Sequence, residues 1–303
     1  MSSTGVSTSS VRSAAAGIST ATANEAFDFV KALAFELSAG KVELPSFPDI
    51  AMRVQRALAD ENVTPDRVVR VVGSEPALAA RILGMANSAA LNATGRAINE
   101  LRTAIARMGF DMLRSAAITF SMAQLRKAEQ YRGLEKPMNL LWQRSVNVAS
   151  LCFVIAKRFT RVSADAALLA GLLHGVGKLY ILTRASKHPA LFADHATYNT
   201  IVRDWHGNIA KALLENWGMA EELVDAVCSF EDMDREPRGQ TGLADVLAVA
   251  HLFASFREQP DLLELKLREC KPAARIAVDR EAFEKVFAES AADMQALREA
   301  LGD

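Results

Sequence analysis

The stretch Ala166-Ala167-Leu168-Leu169-Ala170-Gly171-Leu172-Leu173 carries no polar side chain on any face. A helix that is apolar all round belongs in the centre of a bundle, because no face of it can be left in water at low cost. The helical apolar period extends outward from this stretch, as in Trp142, Val146, Ala149, Phe153 and Ala156 upstream and Phe27, Val30, Ala34 and Leu37 near the start. No segment alternates for long in the manner of a half-buried strand. The fold class expected is all-α.

Helix punctuation supports this reading. Thr64-Pro65-Asp66 offers an N-cap, a first-turn proline and an acidic first turn, and Ser74-Glu75-Pro76 repeats the arrangement after Gly73. Further helices are expected near 48–59, 76–90, 99–108, 110–127, 140–159, 163–174, 198–216, 219–229, 241–257 and 279–300. Gly175 and Gly177 are read as ending the 163–174 helix and turning the chain. Residues 1–24 are almost all Ser, Thr, Ala, Gly and Val with one charge, Arg12, and are expected to form a disordered leader. The organisation that follows is a leader (1–24), an N-terminal helical half (25–137), a second helical half (138–258) and a C-terminal helical appendage (259–303).

With 303 residues and 50% hydrophobic content the chain can bury a large core without staples. Cys152, Cys228 and Cys270 are dispersed and form no CxxC pair, which argues against a disulfide framework or a zinc knuckle. No apolar run approaches the roughly 18 to 20 residues of a membrane span, and the start has no secretory apolar block. A cytoplasmic location without a membrane partner is expected. The 35 basic and 36 acidic residues give a net charge of -1. That balance removes the global attraction behind most non-specific nucleic-acid binding. Residues 81–136 hold nine Lys or Arg against four Asp or Glu, but a solvated surface is the simpler reading. The 64–72 and 76–90 pair has helix-turn-helix spacing. Its second member offers mostly Ala, Ile, Leu and Met, which suits packing and not base edges, so no specific nucleic-acid partner is expected.

The polar residues next to the most apolar helices are Arg144 and His174. Leu172-Leu173-His174-Gly175-Val176-Gly177-Lys178-Leu179 resembles the Leu-Leu-His-Asp-Ile-Gly-Lys-Leu signature of the HD superfamily, whose His and Asp bind a catalytic metal. Other motifs are similar in order and spacing to the HDOD family. They are Leu44-Pro45-Ser46-Phe47-Pro48, Glu75-Pro76-Ala77-Leu78 through Asn87-Ser88-Ala89, and Thr103-Ala104-Ile105-Ala106-Arg107-Met108-Gly109. Leu141-Trp142-Gln143-Arg144-Ser145 stands where that family has Leu-Trp-x-His-Ser. The resemblance covers about residues 42 to 256. It implies a bacterial signal-transduction module with an HD-like second half.

The departures from the HD pattern fall on the metal ligands. Arg144 stands at the first His and Gly175 at the Asp of the pair, while His206 is kept. The double-His position reads Ser229-Phe230, and the distal Asp reads Ala254 after His251-Leu252-Phe253. A hydrolytic metal needs about three protein ligands, and a permanent cation at Arg144 opposes a dication. No catalytic residue, metal or cofactor is therefore expected. Arg144, His174, Lys178 and His206 are expected to surround an effector pocket at the former metal site, serving a signalling protein partner or a small anionic effector. For Arg144 the residues favour an ion pair with a neighbouring carboxylate over a bound phosphate or carboxylate. His174 is read as a buried imidazole hydrogen-bonded at its helix end, and Lys178 as a side chain covering a helix end. The rival readings are a residual phosphohydrolase acting on a nucleotide or cyclic dinucleotide, and a nucleic-acid-binding regulator.

Overall fold

Residues Ala167 to Leu173 are all buried, as their composition demands. They belong to helix Ala164–Leu173, which Ser163 starts by accepting the Ala166 amide on its side chain at 3.3 Å. The computed structural model describes residues 20–44, 48–60, 62–88, 91–92, 95–235 and 239–301, and among them every regular element is helical. In chain order these are α1 (Thr20–Ser38), α2 (Asp49–Ala59), α3 (Pro65–Gly73), α4 (Pro76–Ala86), α5 (Leu101–Arg126) and α6 (Glu135–Phe159). After them come α7 (Ala164–Leu173), α8 (Val176–Ala185), α9 (Pro189–Ala193), α10 (His195–Asn216), α11 (Glu221–Ser229) and α12 (Leu243–Phe256). The chain closes with α13 (Pro260–Glu269), α14 (Lys271–Ile276), α15 (Arg280–Glu289) and α16 (Ala291–Leu301).

Two glycines set the spacing at the centre. A Cβ on Gly171 of α7 would lie 2.4 Å from the Ala149 Cα on α6, so these helices meet backbone to backbone. A Cβ on Gly177 would lie 2.0 Å from the His206 carbonyl oxygen, which brings α8 equally close to α10. The reading of Gly177 as a turn residue is therefore corrected: it lies inside α8, and its role is close approach. The 163–174 helix does stop where expected, with Gly175 as the N-cap position of α8. Gly109 breaks α5 with φ 77° and ψ 171°, dividing it where two helices were expected.

Around this centre the expected halves merge into one core. The boundary expected at Pro137 falls within the first turn of α6. Helix α1 belongs to the second half: Glu25 accepts the backbone amides of Ala190 (2.9 Å) and Leu191 (3.1 Å) on α9. Its Glu36 pairs with Arg184 at 3.1 Å and accepts the Tyr180 hydroxyl of α8. The C-terminal helices are stitched in as well. Arg257 donates to both oxygens of Glu284, Phe253 stacks on Phe283, and Arg298 donates to Asn147 of α6 at 2.6 Å. Thr20 to Asn24 lie in α1, so the last residues of the expected leader are helical; residues 1–19 fall outside the described residues, as do Pro45 to Phe47.

The second helix of the apparent helix-turn-helix buries Leu78, Ile82, Met85 and Ala86 and turns Pro76, Ala77, Ala80 and Gly84 outward. That outward face offers no side-chain donor to a base edge. Asn87 ends α4 structurally: its side-chain amide donates to the carbonyls of Leu83 and Ile98, and its oxygen accepts the Ile98 amide at 2.8 Å. Contrary to the sequence expectation, Ala164–Ala185 is long and apolar enough on average to cross a membrane, but 89% of its most apolar window is buried inside the fold.

Candidate functional site

Helices α6, α8 and α10 and the turn after α11 converge on a cleft of about 610 Å³. Its walls are apolar, with Leu141 from α6, Leu182 from α8, Phe192 from α9, and Tyr198 and Val202 from α10; its polar groups include Arg144, Lys178, His206 and Glu231, and α10 adds His195, Asn199 and Arg203 to the lining. Phe192 and Tyr198 meet edge to face at 5.7 Å, which fixes that wall. The size lies within the range of small-ligand pockets. A second hollow, about 770 Å³, lies beside Arg96, Glu100 and Arg107 and holds none of the four residues expected at the effector pocket.

Glu231 ties two side chains of the cleft together. Its Oε2 accepts from His206 Nε2 at 2.9 Å and its Oε1 from Lys178 Nζ at 2.8 Å. Burial alone would raise this carboxyl, but the hydrogen bonds from His206 and Lys178 outweigh burial and hold it well below the usual carboxylate range. Lys178 thus has a charged partner and is more than a cover for a helix end. Glu231 carries no distinguishing signal in the sequence, since it opens an acidic run with Asp232, Asp234 and Glu236.

Arg144 is arranged differently. Its Nη2 donates to His251 Nε2 at 2.9 Å and to Ser255 Oγ at 2.7 Å, two positions one turn apart on α12. A guanidinium has no acceptor, so His251 Nε2 must accept and the ring is neutral, with its proton on Nδ1. Burial, then the charge of Arg144, push His251 down to about 4. No carboxylate lies within ion-pair distance of Arg144 among the described residues, and its Nη1 and Nε have no protein partner. The expected ion pair is therefore corrected. Burial pushes the Arg144 pKa down, and the nearby carboxylate, Glu231, whose oxygens are both already bonded, offsets that only in part and through space.

His174 does not reach the cleft. It is 2% exposed, donates from Nδ1 to the Gly171 carbonyl at 2.6 Å, and packs edge-on against Phe230 and His251. Burial pushes it down to about 3. Three of the four sequence-selected residues thus line the cleft, and the fourth lies outside its lining. The α12 position aligned with a distal acid, Ala254, brings no polar group; His251 and Ser255 on the same helix bond Arg144 instead. Among the described residues, no three His, Cys, Asp or Glu side chains are grouped to share a metal ion.

A family model described as the HDOD domain matches residues 44–233. A curated relative from Treponema pallidum (strain Nichols), named only as an uncharacterized protein, is 20% identical over 231 residues. That match covers 71% of this chain and 42% of the relative, so the chain spans less than half of the relative's length. A solved structure from Shewanella amazonensis SB2B, provisionally named a metal-dependent phosphohydrolase, is 24% identical with a TM-score of 0.69, covering 92% of this chain and 99% of that one. An HDOD domain protein of unknown function from Geobacter sulfurreducens gives 24% and 0.60, covering 90% and 97%. A protein from Marinobacter aquaeolei VT8, provisionally named a signal transduction protein, gives 20% and 0.59, covering 95% and 67%. At these identities the likeness to the solved structures is one of fold.

Proposed function

The chain belongs to the HDOD family, and from that premise we propose that it is a non-catalytic bacterial signalling module whose cleft senses a small anionic effector. The observation that carries this reading is Arg144: a half-buried cation bonded, among the described residues, only to neutral groups, with donors left over at the cleft. Burying a charge without a counter-charge costs stability, and a ligand carrying the missing charge offsets that cost. A purely structural arginine would be expected to find its carboxylate within the protein.

The metal of HD-type relatives does not fit these residues. Arg144 and Gly175 supply no ligand, Ala254 has no donor, and both oxygens of Glu231 are engaged. A dication placed among them would face two permanent cations, Arg144 and Lys178, against one carboxylate. No hydrolytic step is assigned.

The test is a thermal-shift panel of carboxylates, phosphates and cyclic dinucleotides on the full chain, run beside hydrolysis assays with Mg²⁺, Mn²⁺ and Fe²⁺. At least one anion class is expected to stabilise the wild type and not Arg144→Gln, with no turnover. Metal-dependent hydrolysis that His174→Ala abolishes, or a panel that never distinguishes the two chains, overturns the reading.

A further inference from the structure

We propose that the effector is a singly charged carboxylate on an apolar body, an aliphatic or aromatic acid, and not a phosphate monoester. This deepens the sensor reading and rests on it. The charges come first. Counting Arg144, Lys178 and Glu231, the polar groups of the cleft leave one positive charge over, because Lys178 is paired with Glu231 at 2.8 Å. Arg203 at the rim adds nothing net, since it pairs with Asp204 at 3.2 Å. One excess charge balances a monoanion. A nucleotide or pyrophosphate carries two or more negative charges, and the surplus would sit beside Glu231 in a partly dehydrated place.

The donors point the same way. Both hydrogens of Arg144 Nη2 are committed, one to His251 and one to Ser255. Each bidentate edge of a guanidinium uses two nitrogens, and Nη2 takes part in both of the common ones, Nε with Nη2 and Nη1 with Nη2. A ligand therefore meets Nη1 and Nε singly, together with the two Lys178 protons not used by Glu231. That set is enough to satisfy the two oxygens of a carboxylate without a paired guanidinium edge.

The body of the ligand follows from the walls. Leu141, Leu182, Phe192, Tyr198 and Val202 surround the polar groups, and Leu140 at the mouth is 58% exposed. Apolar surface gains affinity by roughly 25 cal/mol per Å² removed from water, so an eight-carbon chain or a fused aromatic ring is better held there than a bare anion.

The experiment separates head from tail. Octanoate, acetate, 1-octanol, inorganic phosphate and adenosine monophosphate are titrated by calorimetry into the full chain and into Arg144→Gln. Octanoate is expected to bind at least about tenfold more tightly than acetate or octanol, and Arg144→Gln to weaken octanoate by about tenfold or more while leaving octanol unchanged. Phosphate or the nucleotide binding in an Arg144-dependent way while octanoate does not would overturn the carboxylate assignment and leave the sensor reading intact. Octanoate binding that ignores Arg144→Gln would mean apolar association alone and overturns the assignment too. If nothing binds either chain, both readings fail.

Discussion

Helix α12 has a buried charge near each end, and the two are treated in opposite ways. Near its start, the Asp245 side chain is 2% exposed and accepts from Arg235 at 2.6 Å, from Arg275 at 2.7 Å and from the Gly242 amide at 2.9 Å. The arginines are themselves occupied, Arg275 also donating to the Gly239 carbonyl at 2.6 Å and Arg235 lying 3.9 Å from Asp225. Near its end, His251 and Ser255 hold Arg144 through neutral atoms, with Nη1 and Nε unpartnered among the described residues. The first cluster is complete within the protein, and it locks the turn before α12 and the short helix α14 to the core. The second is incomplete within the protein. A buried charge surrounded by counter-charges is structure, whereas one surrounded by neutral partners is binding capacity.

Breaking the complete cluster should have the largest effect. Asp245→Ala leaves two arginines facing each other in a buried site, and about 3–5 kcal/mol of stability is expected to be lost in denaturant unfolding. A loss below about 1 kcal/mol would erase the distinction from that side. Acid comes next. His251 and His174 are both held below the ordinary histidine value of about 6.5, at about 4 and about 3. Their neutral forms belong to the fold, so this stability is complete above about pH 6.5 and is lost as the pH falls toward 4, where the unfolded chain takes up protons that the folded one refuses. Each ring contributes up to about 1.4 kcal/mol per pH unit in that window. His251→Gln should flatten the slope, and an unchanged slope would show that the ring beside Arg144 is not held neutral. The smallest effect is expected at Arg144 itself. Arg144→Met removes an uncompensated cation and should leave stability within about 1 kcal/mol of the wild type, or raise it. A loss of several kcal/mol would make Arg144 as structural as Asp245.

The sequence carried the helical class, the buried Ala167–Leu173 centre and the Thr64-Pro65 start of α3, whose N-cap oxygen accepts the Arg67 amide. These are local properties, since period, capping and composition act within a few residues of chain. It also singled out Arg144, Lys178 and His206, which the fold brings to one cleft from three helices. What it did not carry is through space. Gly177 reads as a turn residue along the chain, and only the His206 carbonyl, supplied by α10, explains it. Glu231 looks like one acid among several until Lys178 and His206 arrive from other helices. The expectation of a carboxylate for Arg144 failed for the same reason: the neighbours of a side chain on α6 are chosen by α12, about a hundred residues later, as the sequence separation of 107 between Arg144 and His251 shows.

The contact of Gly177 with the His206 carbonyl has a consequence for how this cleft can change over generations. The distance between α8 and α10, which form two of its walls, is set by main chain against main chain. Substitutions at Leu182, Tyr198 or Val202 can alter what lies between the walls, its chemistry and its depth, without moving them apart. Gauge and lining are inherited separately here, so descendants of this chain can exchange one ligand for another at a fixed width, and the width itself changes only by losing a glycine.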